Sequence, residues 1–131
     1  MPAPNDIIGC PFCRLESFDR VVAANGFAFA IRDTSPVTHL HTLVLPKRHA
    51  PTYFHLGTNE RRDIDDLLFG LRDAILAFDS TVVGFNICTN IGAAAGQTID
   101  HCHVHLIPRR VGDVANPRGG VRGVIPEKMN Y

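Results

Sequence analysis

Three histidines stand at alternate positions in Ile99-Asp100-His101-Cys102-His103-Val104-His105-Leu106-Ile107. The apolar residues between and after them favour a strand, in which alternate side chains point the same way, so the three imidazoles are expected on one face. A single histidine in a strand is usually a satisfied core residue. Three in register require every ring to be desolvated, fixed in tautomer and hydrogen-bonded, a cost that points to chemistry. Side chains two apart on a strand stand roughly 6.5 to 7 Å apart, and those four apart about 13 Å, so one metal ion can take an adjacent pair but not all three rings. At least one ring is left for nucleophilic attack or phosphate binding, and spacing alone leaves metal and nucleophile both open.

The chain has 131 residues, 45% of them apolar, which suits one domain with one core. Thirteen Lys and Arg balance 13 Asp and Glu. There is then no overall field to draw nucleic acid or an anionic membrane, and phosphate recognition has to be local. Met1-Pro2-Ala3-Pro4-Asn5-Asp6 lacks the basic start and apolar stretch of a signal peptide, and no run reaches membrane-spanning length, so a cytoplasmic protein is expected. Four cysteines in such a chain read as reduced thiols or metal ligands rather than a disulfide framework. Cys88 and Cys102, in apolar strand patterns, read as small core residues.

Arg20 to Ala24 and Phe27 to Arg32 flank Asn25-Gly26, a pair that supplies the positive dihedrals of a tight hairpin. His41 to Leu45 is a further strand stopped by Pro46, and Val82 to Asn90 and Ile99 to Ile107 are the last two. Thr58 is placed to cap a helix whose Ile64, Leu67, Leu68, Leu71, Ile75 and Phe78 recur at helical spacing opposite Arg61, Arg62, Asp65, Arg72 and Asp73. An α+β domain follows, with a largely antiparallel sheet of about five strands and helices on one side. Glycines after the fourth strand raise the question of a P-loop, but no Lys-Ser/Thr pair follows Gly96 and the next segment reads as strand rather than helix.

The complete run His101-Cys102-His103-Val104-His105-Leu106-Ile107 resembles the signature of the histidine triad family of nucleotidyl hydrolases and transferases. Gly84 to Asn90 and Gly96-Gln97-Thr98 resemble that family's glycine-rich approach, and His41-Thr42-Leu43-Val44-Leu45-Pro46-Lys47-Arg48-His49 its preceding strand. The likeness spans about Cys10 to Arg110, so residues 1–110 are read as the triad domain and 111–131 as its C-terminal extension. The resemblance implies that His103 is the nucleophile, with His105 and His41 supporting it. It further implies that Asp33 holds ribose hydroxyls and that Asn90 faces phosphate, while His105, Gln97 and Thr98 are candidate donors to the charge that develops on the α-phosphate, with Gly96 beside them in the substrate site. Asp33 also suits a turn in Asp33-Thr34-Ser35-Pro36, and Gly92 to Gly96 also suits a plain connection. One departure stands out. Many triad proteins place glycine or proline directly before the strand histidine, whereas this chain reads Val37-Thr38-His39-Leu40-His41, which leaves the role of His39 open.

Cys10-Pro11-Phe12-Cys13 has the spacing of half a zinc site, and neither the strand before nor the helix after it that a thioredoxin-like redox pair would need is present. The competing reading is of ordinary reduced thiols. In the zinc-bearing branch of the resembled family the site is completed by the residues matching His49 and His101, implying a structural Cys₂His₂ zinc. The tail is rich in glycine and arginine, suited either to covering the polyphosphate side of the pocket or to a solvated extension. Its likeness to bacterial diadenosine tetraphosphate hydrolases and to the fragile-histidine-triad branch favours dinucleoside polyphosphates. The alternatives are a purine nucleoside phosphoramidase, a non-catalytic nucleotide-binding or regulatory protein, and a hydrolase with a catalytic metal. A homodimer is expected on the same resemblance.

Overall fold

Five strands and one long helix organise the described residues, 9–13 and 19–131, of the computed structural model. The Met1 to Asp6 segment, read above as carrying no signal peptide, lies outside them. The strands are β1 (Val21–Ala24), β2 (Ala28–Arg32), β3 (Thr42–Pro46), β4 (Val82–Cys88) and β5 (Val104–Arg110). They form one antiparallel sheet in the order β1-β2-β3-β5-β4. The helix α1 (Thr58–Phe78) crosses one face. No helix among the described residues is long and apolar enough to cross a membrane.

Alternation along the strands divides the apolar residues between two clusters. Ala28, Ala30, Val44, Val104 and Leu106 turn toward α1 and pack on Ile64, Leu67, Leu71 and Ile75. Phe29, Ile31, Leu43 and Leu45 turn to the opposite face and pack with Phe12 of the N-terminal loop. The central strands are therefore buried on both sides, and among the described residues no long helix covers the second face where it approaches the histidines.

Beyond shifts of one or two residues at strand ends, three elements differ from expectation: the first turn, the helix and the last strand. The β1–β2 turn has no positive φ at Asn25 or Gly26. Instead the Asn25 side chain builds it, accepting the Ala28 amide at 3.1 Å and donating to the Asp63 carbonyl on α1 at 2.8 Å. The helix is capped by Gly57 rather than Thr58, with the Glu60 carboxylate accepting the Gly57 amide at 2.8 Å. Phe78, at the last position of α1, has left the core and is 77% exposed.

The third difference matters most for the site. The last strand begins at Val104, not Ile99, and runs on to Arg110. Pairing of β3 with β5 covers only Thr42 to Val44, so beyond Val104 there is no ladder for residues 99–103 to join. That segment is held by other bonds, among them Cys102 N–H to the Ala50 carbonyl at 2.7 Å. At the other end, β4 pairs as far as Arg110. Pro108 is tolerated there because its carbonyl points toward the Thr38 hydroxyl, on the side where β3 has ended, so the missing N–H has no ladder to break.

Ile75 is 1% exposed at the centre of the helix–sheet contact. Ile75→Ala is expected to lower unfolding free energy by about 3 kcal/mol, whereas Phe78→Ala should change it by less than about 0.5 kcal/mol. Urea denaturation of the two variants checks both values.

Candidate functional site

The three alternate histidines do not form one row. His101, ahead of the strand, turns its ring into the protein and is fully buried. His103 and His105 stay together with ring centroids 5.3 Å apart, and both line a cleft of about 420 Å³ on the face away from α1. Pro11, Phe12, Ile31, Leu43 and Ile99 supply its apolar wall, and Arg20, Asp33, Thr34, Ser35 and Thr98 its polar rim.

Each imidazole is held in one tautomer by a main-chain group or by its neighbour. His103 lies 2.8 Å through Nδ1 from the His101 carbonyl, which only accepts, so Nδ1 carries the proton and Nε2 the lone pair. His41 accepts the Val37 amide on Nδ1 at 3.0 Å, so its proton sits on Nε2, 2.9 Å from His105 Nδ1. His105 in turn keeps its proton on Nε2. His101 donates from Nε2 to the Pro46 carbonyl at 2.9 Å, leaving the Nδ1 lone pair for the cysteines.

Burial holds the His105 ring well below its ordinary value of 6.5, to about 4. The neighbouring imidazoles of His103 and His41 act in the same direction and Asp33 against it. His41 is also lowered by burial, with Asp33 opposing at 3.6 Å. Both rings are thus neutral near pH 7, as the amide bond to His41 demands. Cys102 is a buried thiol pushed up to about 12 by desolvation, with Glu60 adding to it, and is unreactive.

Among the described residues, two groups of side chains have metal-ligand composition, each with donor atoms within 4.8 Å of one another. In the first, Cys13 Sγ lies 3.0 Å from His49 Nδ1, and Cys10 and Cys13 sulfurs each lie 3.6 Å from His101 Nδ1. Bonds of about 2.3 Å to sulfur and 2.0 Å to nitrogen around a tetrahedral zinc place S and N about 3.6 Å apart, so the donor set fits. The lone pair of His101 already faces the cysteines. The second group is Asp33, His41 and His105. Here the donors do not fit, because a metal on His41 Nε2 would drive the proton to Nδ1, against the Val37 amide.

Of the other residues singled out from the sequence, Asp33 and Thr98 reach the cleft. Asp33 also accepts the Ser35 amide at 2.7 Å, so turn and rim positions coincide. Asn90 and Gly96 lie side by side and do not line the cleft, with the Asn90 amide nitrogen 3.8 Å from where a Gly96 side chain would begin. Gln97 does not line the cleft. Its carbonyl accepts the Gly92 amide, and its amide donates to the Pro51 and Ile99 carbonyls at 2.7 and 3.0 Å, clamping the loop. His39 is exposed and contributes its carbonyl to Arg110. The tail folds on itself, with Arg118 and Arg122 over the Tyr131 ring, and lines none of this cleft. Phe12, Ile31 and Leu43 were not singled out. The alternation of Phe29 to Arg32 and Thr42 to Leu45 beside a triad strand was the available signal for the last two.

A family model described as HIT domain matches residues 14–112. The chain is 34% identical over 109 residues to an adenylylsulfatase of Arabidopsis thaliana, covering 83% of this chain and 55% of that one, little more than half of that relative's length. It is 28% identical over 109 residues to an adenosine 5'-monophosphoramidase of Candida albicans, covering 77% and 70%. Among solved structures, a HIT family protein from Bacillus anthracis superposes with a TM-score of 0.75 at 36% identity, covering 81% and 77% of the two chains. A Zn-bound histidine triad family protein from Mycobacterium smegmatis does so with a TM-score of 0.74 at 31% identity, covering 82% and 80%.

The depressed His105 ring sets a pH dependence. In the unfolded chain it protonates near pH 6.5, but in the folded chain only near pH 4, so stability is complete above 6.5 and is lost as pH falls toward 4. Denaturation midpoints measured from pH 7 to pH 4 should fall less steeply in His105→Gln than in the parent. Parallel curves would refute the buried, neutral ring.

Proposed function

The chain belongs to the HIT domain family, and from that premise we propose that it hydrolyses dinucleoside polyphosphates at the α-phosphorus through a nucleotidyl-His103 intermediate. The observation that carries this reading is the His103 ring in the cleft, its Nδ1 proton held by the His101 carbonyl and its Nε2 lone pair available. Nε2 attacks phosphorus, a P–N bond forms, and the bond to the leaving oxygen breaks with its electron pair passing to the leaving group. Water then attacks the same phosphorus, and the P–N bond breaks with its pair returning to Nε2. Negative charge on the α-phosphate oxygens meets the His105 Nε2–H, directed by His41, with Thr98 at the rim. Asp33 faces the ribose, and the apolar wall of Ile31, Leu43 and Phe12 takes the base, for which a purine is proposed. Asn90, Gly96 and Gln97 act by shaping the loop that carries Thr98.

Room for a large leaving group supports the polyphosphate reading. A second hollow of about 740 Å³, lined by Cys10, His49, Pro51 and Asp100, adjoins the cleft across Pro11, Thr98 and Ile99. The names of the relatives above, an adenylylsulfatase and a phosphoramidase, favour adenylate with a smaller leaving group, and this is the second reading. We assign zinc to Cys10, Cys13, His49 and His101, where it cross-links the N-terminal loop to the residue whose carbonyl orients His103. Four free cysteines and no disulfide among the described residues are in keeping with the reducing conditions of a cytoplasmic protein. A homodimer is proposed through edge strand β4 and the adjoining apolar face of Phe69, Phe85 and Ile87.

Incubation with labelled diadenosine tetraphosphate should trap nucleotide on His103, and His103→Ala should lose at least about 1,000-fold in kcat. A strong preference for adenosine phosphoramidate over the dinucleotide would replace the first substrate reading by the second, and turnover by His103→Ala at the parent rate would end both. Elemental analysis should find one zinc per chain in the parent and a loss in Cys13→Ser, with a lowered Tm. Protein purified without zinc and equally stable after that substitution would remove the metal assignment.

A further inference from the structure

We propose that Thr38 and Arg110 are positioning residues for this reaction, clamping the turn 37–41 so that the Val37 amide keeps the His41 proton on Nε2, facing His105. The inference rests on the reading of His105 as a phosphate donor given above. The turn departs from the pattern expected before a triad strand, because Leu40 stands where glycine is common. Leu40 adopts φ 72°, the sole positive φ among the described non-glycine residues, and its side chain is packed against the helix-side core. An L residue holds that conformation only where its surroundings over-determine it.

The surroundings are specific. The Thr38 hydroxyl donates to the Pro108 carbonyl at 2.6 Å, and Arg110 Nη2 donates to the His39 carbonyl at 3.1 Å, both anchors lying on β5. Arg110 is itself fixed, with Nη2 2.9 Å from Asp79 Oδ2 and Nε donating to the Thr81 hydroxyl at 3.2 Å. Asp79 caps the C-terminus of α1, so the turn is tied to the helix end as well as to the strand. Within the turn, His41 N–H donates to the Thr38 carbonyl at 3.1 Å and the Thr42 hydroxyl to the Leu40 carbonyl at 2.8 Å. Every main-chain group from 38 to 41 that these bonds engage sets the distance between the Val37 amide and His41 Nδ1.

The chemical consequence runs through two protons. With the turn released, the Val37 amide withdraws and only Asp33, 3.6 Å from Nε2, still favours a proton there, so both tautomers of His41 become populated. A ring with its proton on Nδ1 presents a lone pair to His105, which must then move its own proton to Nδ1 and loses the Nε2–H that faces phosphate. Binding of the base, made by Ile31, Leu43 and Phe12, is untouched.

Imidazole ¹⁵N NMR on histidine-labelled protein reads the tautomers directly, alongside kcat and KM on diadenosine tetraphosphate. The parent should show His41 with an unprotonated Nδ1. Thr38→Val and Arg110→Ala should each show a share of Nδ1-protonated His41 and lose roughly tenfold in kcat, with KM within about twofold of the parent. Arg110→Lys, which keeps the charge and one donor, should recover part of both. Folded variants with parental tautomers overturn the inference, whether or not kcat changes. If Arg110→Ala does not fold, Thr38→Val, which exchanges one hydroxyl for a methyl group, decides the matter alone. Redistributed tautomers in a protein that turns over no nucleotide would uphold the clamp and remove the function.

Discussion

The placement of one proton on each of four imidazoles is the constraint on which the site depends. A neutral histidine has one donor and one acceptor nitrogen, and which is which is decided by whatever faces the ring. Here the decisions are made by main-chain groups: the His101 carbonyl for His103, the Val37 amide for His41 and the Pro46 carbonyl for His101. His105 takes its assignment from His41. Because these groups belong to strand ends and turns, the fold itself writes the protonation pattern. That pattern separates two clusters that look alike in composition. Cys10, Cys13, His49 and His101 gather two sulfurs and two ring nitrogens within 4.8 Å of one another, the His101 lone pair among them, whereas Asp33, His41 and His105 already share a proton.

The family and the sheet were legible in the sequence because both rest on short-range periodicity. Alternation in Phe29 to Arg32, Thr42 to Leu45 and His103 to Ile107 records which side chains share a face, and the stripe from Ile64 to Ile75 records the face of α1 that is covered. Strand limits were not legible, since they depend on where the partner strand stops. Ile99 to His103 has strand-like composition but no ladder to join, and Pro108 is admitted to β5 only because β3 has ended beside it. The Asn25-Gly26 turn is another such case. Its dipeptide prefers a tight hairpin, but two bonds to Asp63 of α1 select a different geometry.

The divergence of His101 from its two neighbours follows from the same limit. Strand periodicity would align all three rings, and the break in pairing before Val104 releases the first. Its ring turns inward to meet the cysteine loop, while its carbonyl still reaches the ring two positions on. Phe12, between the two cysteines, sets its ring edge-on to both His101 and His103, with centroids 6.0 and 5.2 Å away. The N-terminal loop is thereby part of the cleft wall as well as part of the cysteine and histidine cluster, which joins the packing of the loop to the orientation of His103.

Magnitudes explain why such bonds deserve a rigid scaffold. A single neutral hydrogen bond contributes about 1 kcal/mol net to stability, but a buried ring in the wrong tautomer sets N–H against N–H and costs about 1 to 3 kcal/mol. Across that range the wrong form falls from roughly one molecule in six to fewer than one in a hundred. A turn that drifts by a few tenths of an ångström weakens the preference without unfolding anything. The two anchors on β5, Pro108 and Arg110, resist such drift. The turn that orients His41 is tied through Pro108 and Arg110 to β5 and through Asp79 to the end of α1, so the precision of the site is carried by bonds that also join the main elements of the fold.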